Sequence, residues 1–210
     1  MKKIALISPP AAGKGTQAAL ISKHYQIPNI STGQLLRNEV NKKSEIGLMI
    51  EEKMNSGRLI DGNIVINLLK KRIKEADCQN GFILDGYPRN IEQAILLEQF
   101  EKLDYLFLIE IDQETAKKRI LGRLVCENCK ANFNQFYQKP KKDNVCDICG
   151  GDLIRRNDDT EEVLNERFKV YQIETAPLLD YYKKILFKVD GTLSIDMIFS
   201  EIRKMIDENW

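Results

Sequence analysis

Two stretches of this sequence carry residue types at spacings that could do chemistry. The first is residues 7–16, ISPPAAGKGT. A loop that cradles phosphate needs a strand that ends abruptly, backbone N–H groups turned inward, and a helix that begins at the anion. The usual pattern is Gly, four residues, then Gly-Lys-Ser/Thr. Here Ser8 stands at the leading Gly, and Gly15 separates Lys14 from Thr16. The donors are main-chain groups, so Ser8 and Ala11 still supply theirs. A side chain where φ > 0 is required costs on the order of 1 kcal/mol, which weakens such a site without abolishing it. Lys14 would set a point charge at the phosphates, and the Thr16 hydroxyl would reach phosphate oxygens or a bound magnesium. The bland alternative is a plain strand–turn–helix with a solvated lysine.

The second stretch is Cys126-Glu-Asn-Cys129 and Cys146-Asp-Ile-Cys149, separated by 16 residues. Two C-x2-C pairs at this separation form a zinc signature. Four thiolates make a closed tetrahedral site with no open position for catalysis, so the metal would be structural. The same S4 geometry also suits iron, and two disulfides are the remaining alternative. Cys78 is left over and reads as a buried, inert thiol.

The elements that must position these residues follow from the apolar pattern. Short apolar runs at 3–8, 27–31, 81–86, 104–111 and 185–191 read as buried parallel strands. Between them, helical periodicity covers 14–25, 34–42, 46–54, 64–76, 90–102, 113–122, 161–184 and 195–207. Alternating strand and helix implies a parallel sheet covered on both faces. Residues 125–160 break the alternation: they are polar and hold four of the five cysteines. They read as an insertion whose core is too small to stabilise itself without a metal or a disulfide.

The chain has 210 residues, enough for one or two domains with a substantial core. Its 32 Lys and Arg balance 31 Asp and Glu, a net charge of +1 that argues against a nucleic-acid partner. No apolar run approaches the roughly 20 residues of a membrane helix. The opening MKKIALIS is followed by PPAAGKGT and not by a cleavage site, so the expectation is a cytoplasmic protein with its cysteines as thiols or metal ligands. His24, the single histidine, reads as structural.

Further motifs follow the loop in order: ISTGQLLR (30–37), GFILDGYPRN (81–90) with Gln93, RILGR (119–123), RRNDDTEEVLNER (155–167), then TAPLLDYY and VDGT. With the loop and the cysteines, this ordered set resembles the adenylate kinase family in its long-lid, zinc-bearing bacterial form, over essentially the whole chain. The resemblance implies an α/β P-loop three-layer fold with a five-stranded parallel sheet, a helical AMP-binding insertion and a small zinc-bound lid. The core would take residues 1–30, 62–123 and 162–210, the AMP-binding domain 31–61, and the lid 124–161. The implied reaction is ATP + AMP ⇌ 2 ADP with magnesium, carried out by a monomer.

Carried over residue by residue, the resemblance implies an ATP site of Ala11, Ala12, Gly13, Lys14, Gly15, Thr16, Arg119 and Arg123. Arg119 would lie against the adenine, where a planar guanidinium can stack. The implied AMP site is Thr32, Gly33, Arg37, Gly86, Arg89, Gln93, Arg156 and Arg167. Arg37 and Arg89 would clamp the AMP phosphate, and Gln93 would pair with the adenine edge through both its amide atoms. Lys14, Arg89, Arg123, Arg156 and Arg167 would be catalytic, gathered where charge is transferred, because phosphoryl transfer needs positioning and neutralisation more than acid–base work. Asp85 would hold magnesium through water. Taken singly, each arginine also reads as an ordinary solvated or ion-paired side chain.

The chain departs from the family pattern at several points. Ser8 and Ala11 stand for glycines, and Gln34 for the Asp of STGD. GRLIDGN (57–63) lacks a hinge proline, and Leu124 takes the place of a basic residue. Two alternatives therefore accompany the kinase expectation. One is a kinase for another monophosphate such as UMP or CMP, which Thr32 and Gln93 argue against. The other is a nucleotide- and zinc-binding protein with little catalysis, which the retained Lys14 and arginines argue against.

Overall fold

The computed structural model describes residues 2–208; residue 1 and residues 209–210, assigned above to the core, lie outside the described residues. Five parallel strands form the central sheet: β1 (Lys2–Ile7), β2 (Asn29–Ser31), β3 (Gly81–Asp85), β4 (Tyr105–Glu110) and a fifth over Leu186–Asp190, numbered β8 below. Their spatial order is β2-β3-β1-β4-β8, with Leu6 beside Asp85 on one side and Phe107 on the other. The middles of the central strands, Ile4–Ile7, Phe82–Leu84 and Tyr105–Ile109, are apolar and buried because both faces are covered. Along β1, Ile4 and Leu6 pack into one core while Ala5 and Ile7 pack into the other. This is the two-residue alternation of a strand buried on both sides.

On the first face lie α1 (Lys14–Tyr25) and the C-terminal helix (Ile195–Glu208), with Ala18 and Ile21 against Ile198, Ile202 and Ile206. The spacing of those three isoleucines matches one stripe of a 3.6-residue helix. His24 packs edge-on against Tyr25 and Phe199, a structural placement. The other face is covered by α4 (Gly62–Ile73) and α5 (Ile91–Glu98), through Val65, Ile66 and Leu69 and through Ala94 and Leu97. Two more helices, α2 (Thr32–Asn41) and α3 (Glu45–Asn55), follow β2 as a helical insertion. They start where Ser31 and Ser44 cap them, each hydroxyl accepting an N–H three residues on. Next to the sheet, α6 (Gln113–Leu121) packs on α7 (Glu161–Val170) through Ala116, Ile120, Leu164 and Phe168.

Between α6 and α7 the chain forms a separate three-stranded antiparallel sheet of β5 (Arg123–Cys126), β6 (Asn132–Asn134) and β7 (Leu153–Ile154). Its core is only Leu124, Cys126, Phe133, Cys146 and Leu153, with Ala131 at its edge. Cys78 lies buried near the end of α4, and burial pushes its thiol up to about 11.

The expected helices mostly stand, with three differences. The helix expected over 90–102 stops at Glu98. The one expected over 64–76 starts at Gly62 and ends at Ile73. The long helix expected over 161–184 is interrupted: α7 runs into a π-helical turn over Tyr171–Thr175, then a short α8 (Leu178–Tyr181). Pro177 is the physical cause, since it has no N–H and its ring clashes with the carbonyl four residues back. Among the described residues, no helix is long and apolar enough to cross a membrane.

Candidate functional site

The C-terminal ends of β1, β2 and β3 open onto one cleft, with the antiparallel sheet above it and α2 at one side. Its volume is about 1150 Å³, beyond the ~300–1,000 Å³ usual for a single small ligand. Every nucleotide-site residue expected from the sequence lines it: the loop 11–16, Thr32, Gly33, Arg37, Asp85, Gly86, Arg89, Gln93, Arg119, Arg123, Arg156 and Arg167.

The loop after β1 turns sharply into α1. Ala11 sits at φ 62° and Gly13 at φ 86°. The Thr16 and Gln17 N–H groups bond back to the Gly13 carbonyl, at 3.0 and 3.1 Å. Thr16 therefore offers an anion its hydroxyl first, because its N–H has a partner within the loop. No side chain caps α1 and its first turn has no acidic residue, so the positive end of the helix is left open toward the cleft by its own sequence. Ser8 does not fill the cradle; its hydroxyl donates to the Pro9 carbonyl, at 2.8 Å.

Lys14 reaches across to Asp85 at the end of β3, and its ammonium is ion-paired to Oδ1. The other carboxylate oxygen, Oδ2, faces Gly15, 3.5 Å from where a Cβ there would stand. Gly86 follows at φ 79°, and a Cβ on it would lie 3.3 Å from both Lys14 Nζ and a guanidinium nitrogen of Arg89. The Gly86 carbonyl accepts from Thr32 Oγ1 (3.1 Å) and from Arg89 Nε (2.9 Å). Gln93 is buried, and its Oε1 accepts the Arg89 N–H at 2.9 Å. One of the two amide atoms expected to meet a base edge is thus already engaged. Arg37 is held by Gln34 Oε1 at 3.3–3.4 Å.

Three arginines converge from the opposite wall, and two carboxylates hold them. Arg123 makes a two-point pair with Asp159, including Nε to Oδ2 at 2.7 Å. Arg156 does the same with Asp158, at 2.9 and 2.6 Å, and Arg167 also bonds Asp158 Oδ2. Burial alone would raise the Asp158 pKa, but the bonds from Arg156 and Arg167 outweigh it and hold the carboxyl below its ordinary range. The guanidiniums feel the crowding. Desolvation, then Arg156, pushes Arg37 down to about 10. Arg89 is lowered by the cleft walls and by Arg167. Arg119 stands apart at the far end, donating to the Gly191 carbonyl (2.9 Å), with its guanidinium 5.8 Å from the Tyr137 ring centre.

Asp158, Asp159, Tyr137 and Gly191 are absent from the residues expected from the sequence. The signal for the first two was in view: an Asp pair between arginines in RRNDDTEEVLNER. Gly191 lies in VDGT, whose role was open until its carbonyl met Arg119. Nothing in the local pattern singles out Tyr137.

The four cysteines expected to ligate metal come together in the antiparallel sheet. Their sulfurs all lie within 4.8 Å of one another, the shortest pairs being Cys126–Cys149 at 3.4 Å and Cys129–Cys146 at 3.6 Å. At these gaps the four cysteines are free thiols, and the spacing approaches the ~3.8 Å edge of a tetrahedron with 2.3 Å metal–sulfur bonds. Two matching turns build the cluster. Lys130 and Gly150, each just past a second cysteine, sit at φ 61° and 73° and bond back to the carbonyls of Cys126 and Cys146. The cluster can hold a metal ion.

A family model described as adenylate kinase matches residues 6–186. Curated relatives align over nearly the full length. The adenylate kinase of Methanosarcina barkeri is 46% identical over 210 residues, covering 97% of both chains. That of Archaeoglobus fulgidus is 44% identical over 209 residues, covering 96% of both. That of Clostridium perfringens is 43% identical over 211 residues, covering 97% of this chain and 98% of the relative.

Proposed function

This chain belongs to the adenylate kinase family, and on that footing we propose that it catalyses magnesium-dependent ATP + AMP ⇌ 2 ADP with AMP as its preferred acceptor. The observation that carries this reading is the meeting of Lys14 and five arginines (37, 89, 123, 156 and 167) in a cleft large enough for two nucleotides. Two nucleotides brought phosphate to phosphate repel strongly, and fixed cations aimed at the transferring group offset that repulsion most where charge develops.

The residues divide by position. The loop 11–16, the open N-terminus of α1 and Lys14 hold the donor phosphates, with Thr16 contributing through its hydroxyl. Arg119 covers the donor base. Arg37 and Arg89 clamp the acceptor phosphate, while Thr32, Gly33, Gly86 and Gln93 shape the acceptor base pocket. Arg123, Arg156 and Arg167 close over the transferring group, and exclude water by bringing the lid (124–161) and the AMP-binding domain (31–61) onto the core. Asp85 with the Thr16 hydroxyl is a hard-oxygen donor set that fits a magnesium kept partly hydrated. Bound there with ATP, that ion would neutralise phosphate charge.

Zinc is the metal proposed for Cys126, Cys129, Cys146 and Cys149. It would replace the core that residues 124–161 lack, with no part in the reaction. A kinase for UMP or CMP is less well supported, because Thr32 and Gln93 are buried where an adenine edge would be read.

A coupled assay of ATP with AMP, UMP and CMP, with and without magnesium, tests the proposal. Turnover should need magnesium and favour AMP. A protein that binds ATP yet shows no magnesium-dependent turnover would sink the enzyme reading, and a preference for UMP or CMP would sink the acceptor assignment.

A further inference from the structure

Arg89 lies on the loop between β3 and α5, and its backbone is fastened at both ends. Its N–H donates to Gln93 Oε1 at 2.9 Å, and its carbonyl accepts from Thr175 Oγ1 at 2.7 Å. Its own Nε is bonded to the Gly86 carbonyl at 2.9 Å. Gln93 is a near neighbour in sequence, whereas Thr175 comes 86 residues later, from the π-helical turn after α7. Thr175 is buried, and none of the roles assigned above uses it. The same turn reaches the loop a second time, where Asn90 Nδ2 donates to Glu174 Oε2 at 3.3 Å.

We propose that Thr175 is a positioning residue for the acceptor-phosphate clamp, fixing the Arg89 backbone so that its guanidinium points into the cleft. This rests on the reading above that Arg89 holds the AMP phosphate.

The shape of the helix explains how a residue so distant in sequence arrives there. Arg167 and Thr175 are eight residues apart, and an unbroken α-helix would set them about 80° apart around its axis. A π turn takes up one extra residue, leaving about seven α-helical steps and a separation of roughly 20°. The Ala176 N–H bonds to the Tyr171 carbonyl, five residues back, at 2.9 Å. One helix thus presents Arg167 to the transferring group and the Thr175 hydroxyl to the Arg89 carbonyl. Pro177, two residues on, is what widens the turn.

Thr175→Val preserves shape and burial but removes the donor, and Thr175→Ser restores it. Calorimetric titration and initial-rate kinetics on the full chain would measure both nucleotides. Thr175→Val should weaken AMP binding and raise its KM by about fivefold, the usual worth of one neutral hydrogen bond. ATP affinity should stay unchanged, and Thr175→Ser should return AMP to near the wild-type value. In an Arg89→Ala background, Thr175→Val should have no further effect on AMP, because the two residues act as one unit.

The proposal is overturned if Thr175→Val binds AMP like the wild type, or weakens both nucleotides alike. It is equally overturned if the effect persists undiminished beside Arg89→Ala. Thr175→Ala, read by the same outcomes, serves if the valine variant does not fold. A wild type that binds ATP but neither binds nor phosphorylates AMP refutes the proposed function and this inference together. A wild type active on AMP with an indifferent Thr175→Val refutes only this inference.

Discussion

Ala11→Gly tests the phosphate loop at its most strained point. Ala11 is held at φ 62°, where a Cβ meets the following carbonyl at a cost of about 1–2 kcal/mol. Two effects oppose the gain from removing it. Glycine frees the unfolded chain, which costs about 0.4–1 kcal/mol. The Ala11 methyl is also half-buried against Ala116, Ile120, Leu164 and Phe168, and losing half of a buried methyl group costs about 0.4 kcal/mol. The net effect on folding is a few tenths of a kcal/mol, a rise in Tm of about 1–2 °C. Nucleotide binding weighs these terms differently, because the freedom of the unfolded chain does not enter it. Strain held alike in the free and the nucleotide-bound loop cancels from it, so ATP affinity should stay within about twofold of the wild type. Titration calorimetry with ATP, beside a thermal melt and with Lys14→Ala as the negative control, reads both. A fall in Tm would refute the assignment of strain to Ala11, and ATP binding tighter by about fivefold or more would show that the strain arises only when nucleotide binds. Equal ATP affinity in wild type and Lys14→Ala would refute the loop as a phosphate site altogether.

Lys14→Ala should lower turnover by roughly 10²–10³-fold in the coupled assay, since charge on the transferring group loses a preorganised partner; a loss under about tenfold would contradict that role. Asp158→Asn should lower stability by about 1–2 kcal/mol at neutral pH, because two charged hydrogen bonds are lost. Asp158 has its pKa held below the ordinary range. Its stabilisation is therefore complete above the unfolded value of about 3.9 and fades as pH falls below it. Melting curves against pH should show the gap between wild type and variant closing as pH drops from about 4; a constant gap down to about pH 2 would show that Asp158 is not held this way. Removal of metal by a chelator should expose residues 124–161 to protease before the core, while elemental analysis of fresh protein should find one zinc per chain. Absence of any metal would overturn that site, and iron would correct its identity.

The sheet was legible because its strands are short and apolar between amphipathic stretches, and strands buried on both faces need no alternation in sequence. Helix starts with a serine cap, such as Ser31 and Ser44, could be placed within two residues. What could not be read was how a helix responds to a proline: Pro177 lies inside an otherwise helical period, and neither composition nor spacing says whether the chain stops, kinks or widens a turn. The cysteine cluster was legible because metal ligation demands its own spacing. The arginines were legible only as an ordered set, since each alone matches a solvated side chain. Their partners differ in reach. Asp158 stands two residues from Arg156, so its pairing was within local reach, whereas Asp159 pairs with Arg123 36 residues away, and pairing at that range leaves no local pattern. Thr16 and Gln93 show the opposite limit, where a residue expected at the cleft does line it but has one of its polar groups already bonded within the protein.

The carboxylates also explain how so many cations share one cleft. At 4 Å and an effective dielectric of 20, two like charges repel by about 4 kcal/mol, so the arginines need anions between them before any nucleotide arrives. Asp85 serves Lys14, Asp159 serves Arg123, and Asp158 serves both Arg156 and Arg167. Arg37 is treated differently. Its bonding partner is the neutral amide of Gln34, at the position where the family pattern has a carboxylate. Desolvation and the charges of Arg156, Arg123 and Arg89 bring its pKa down to about 10, against the opposing pull of Asp158. It remains a cation at neutral pH, but an uncompensated one. A phosphate dianion beside Arg37 would remove that repulsion, whereas a carboxylate at residue 34 would have removed it in advance. The substitution that looks like a lost ligand therefore leaves the Arg37 end of the cleft with unmet positive charge, which favours the binding of an anion there.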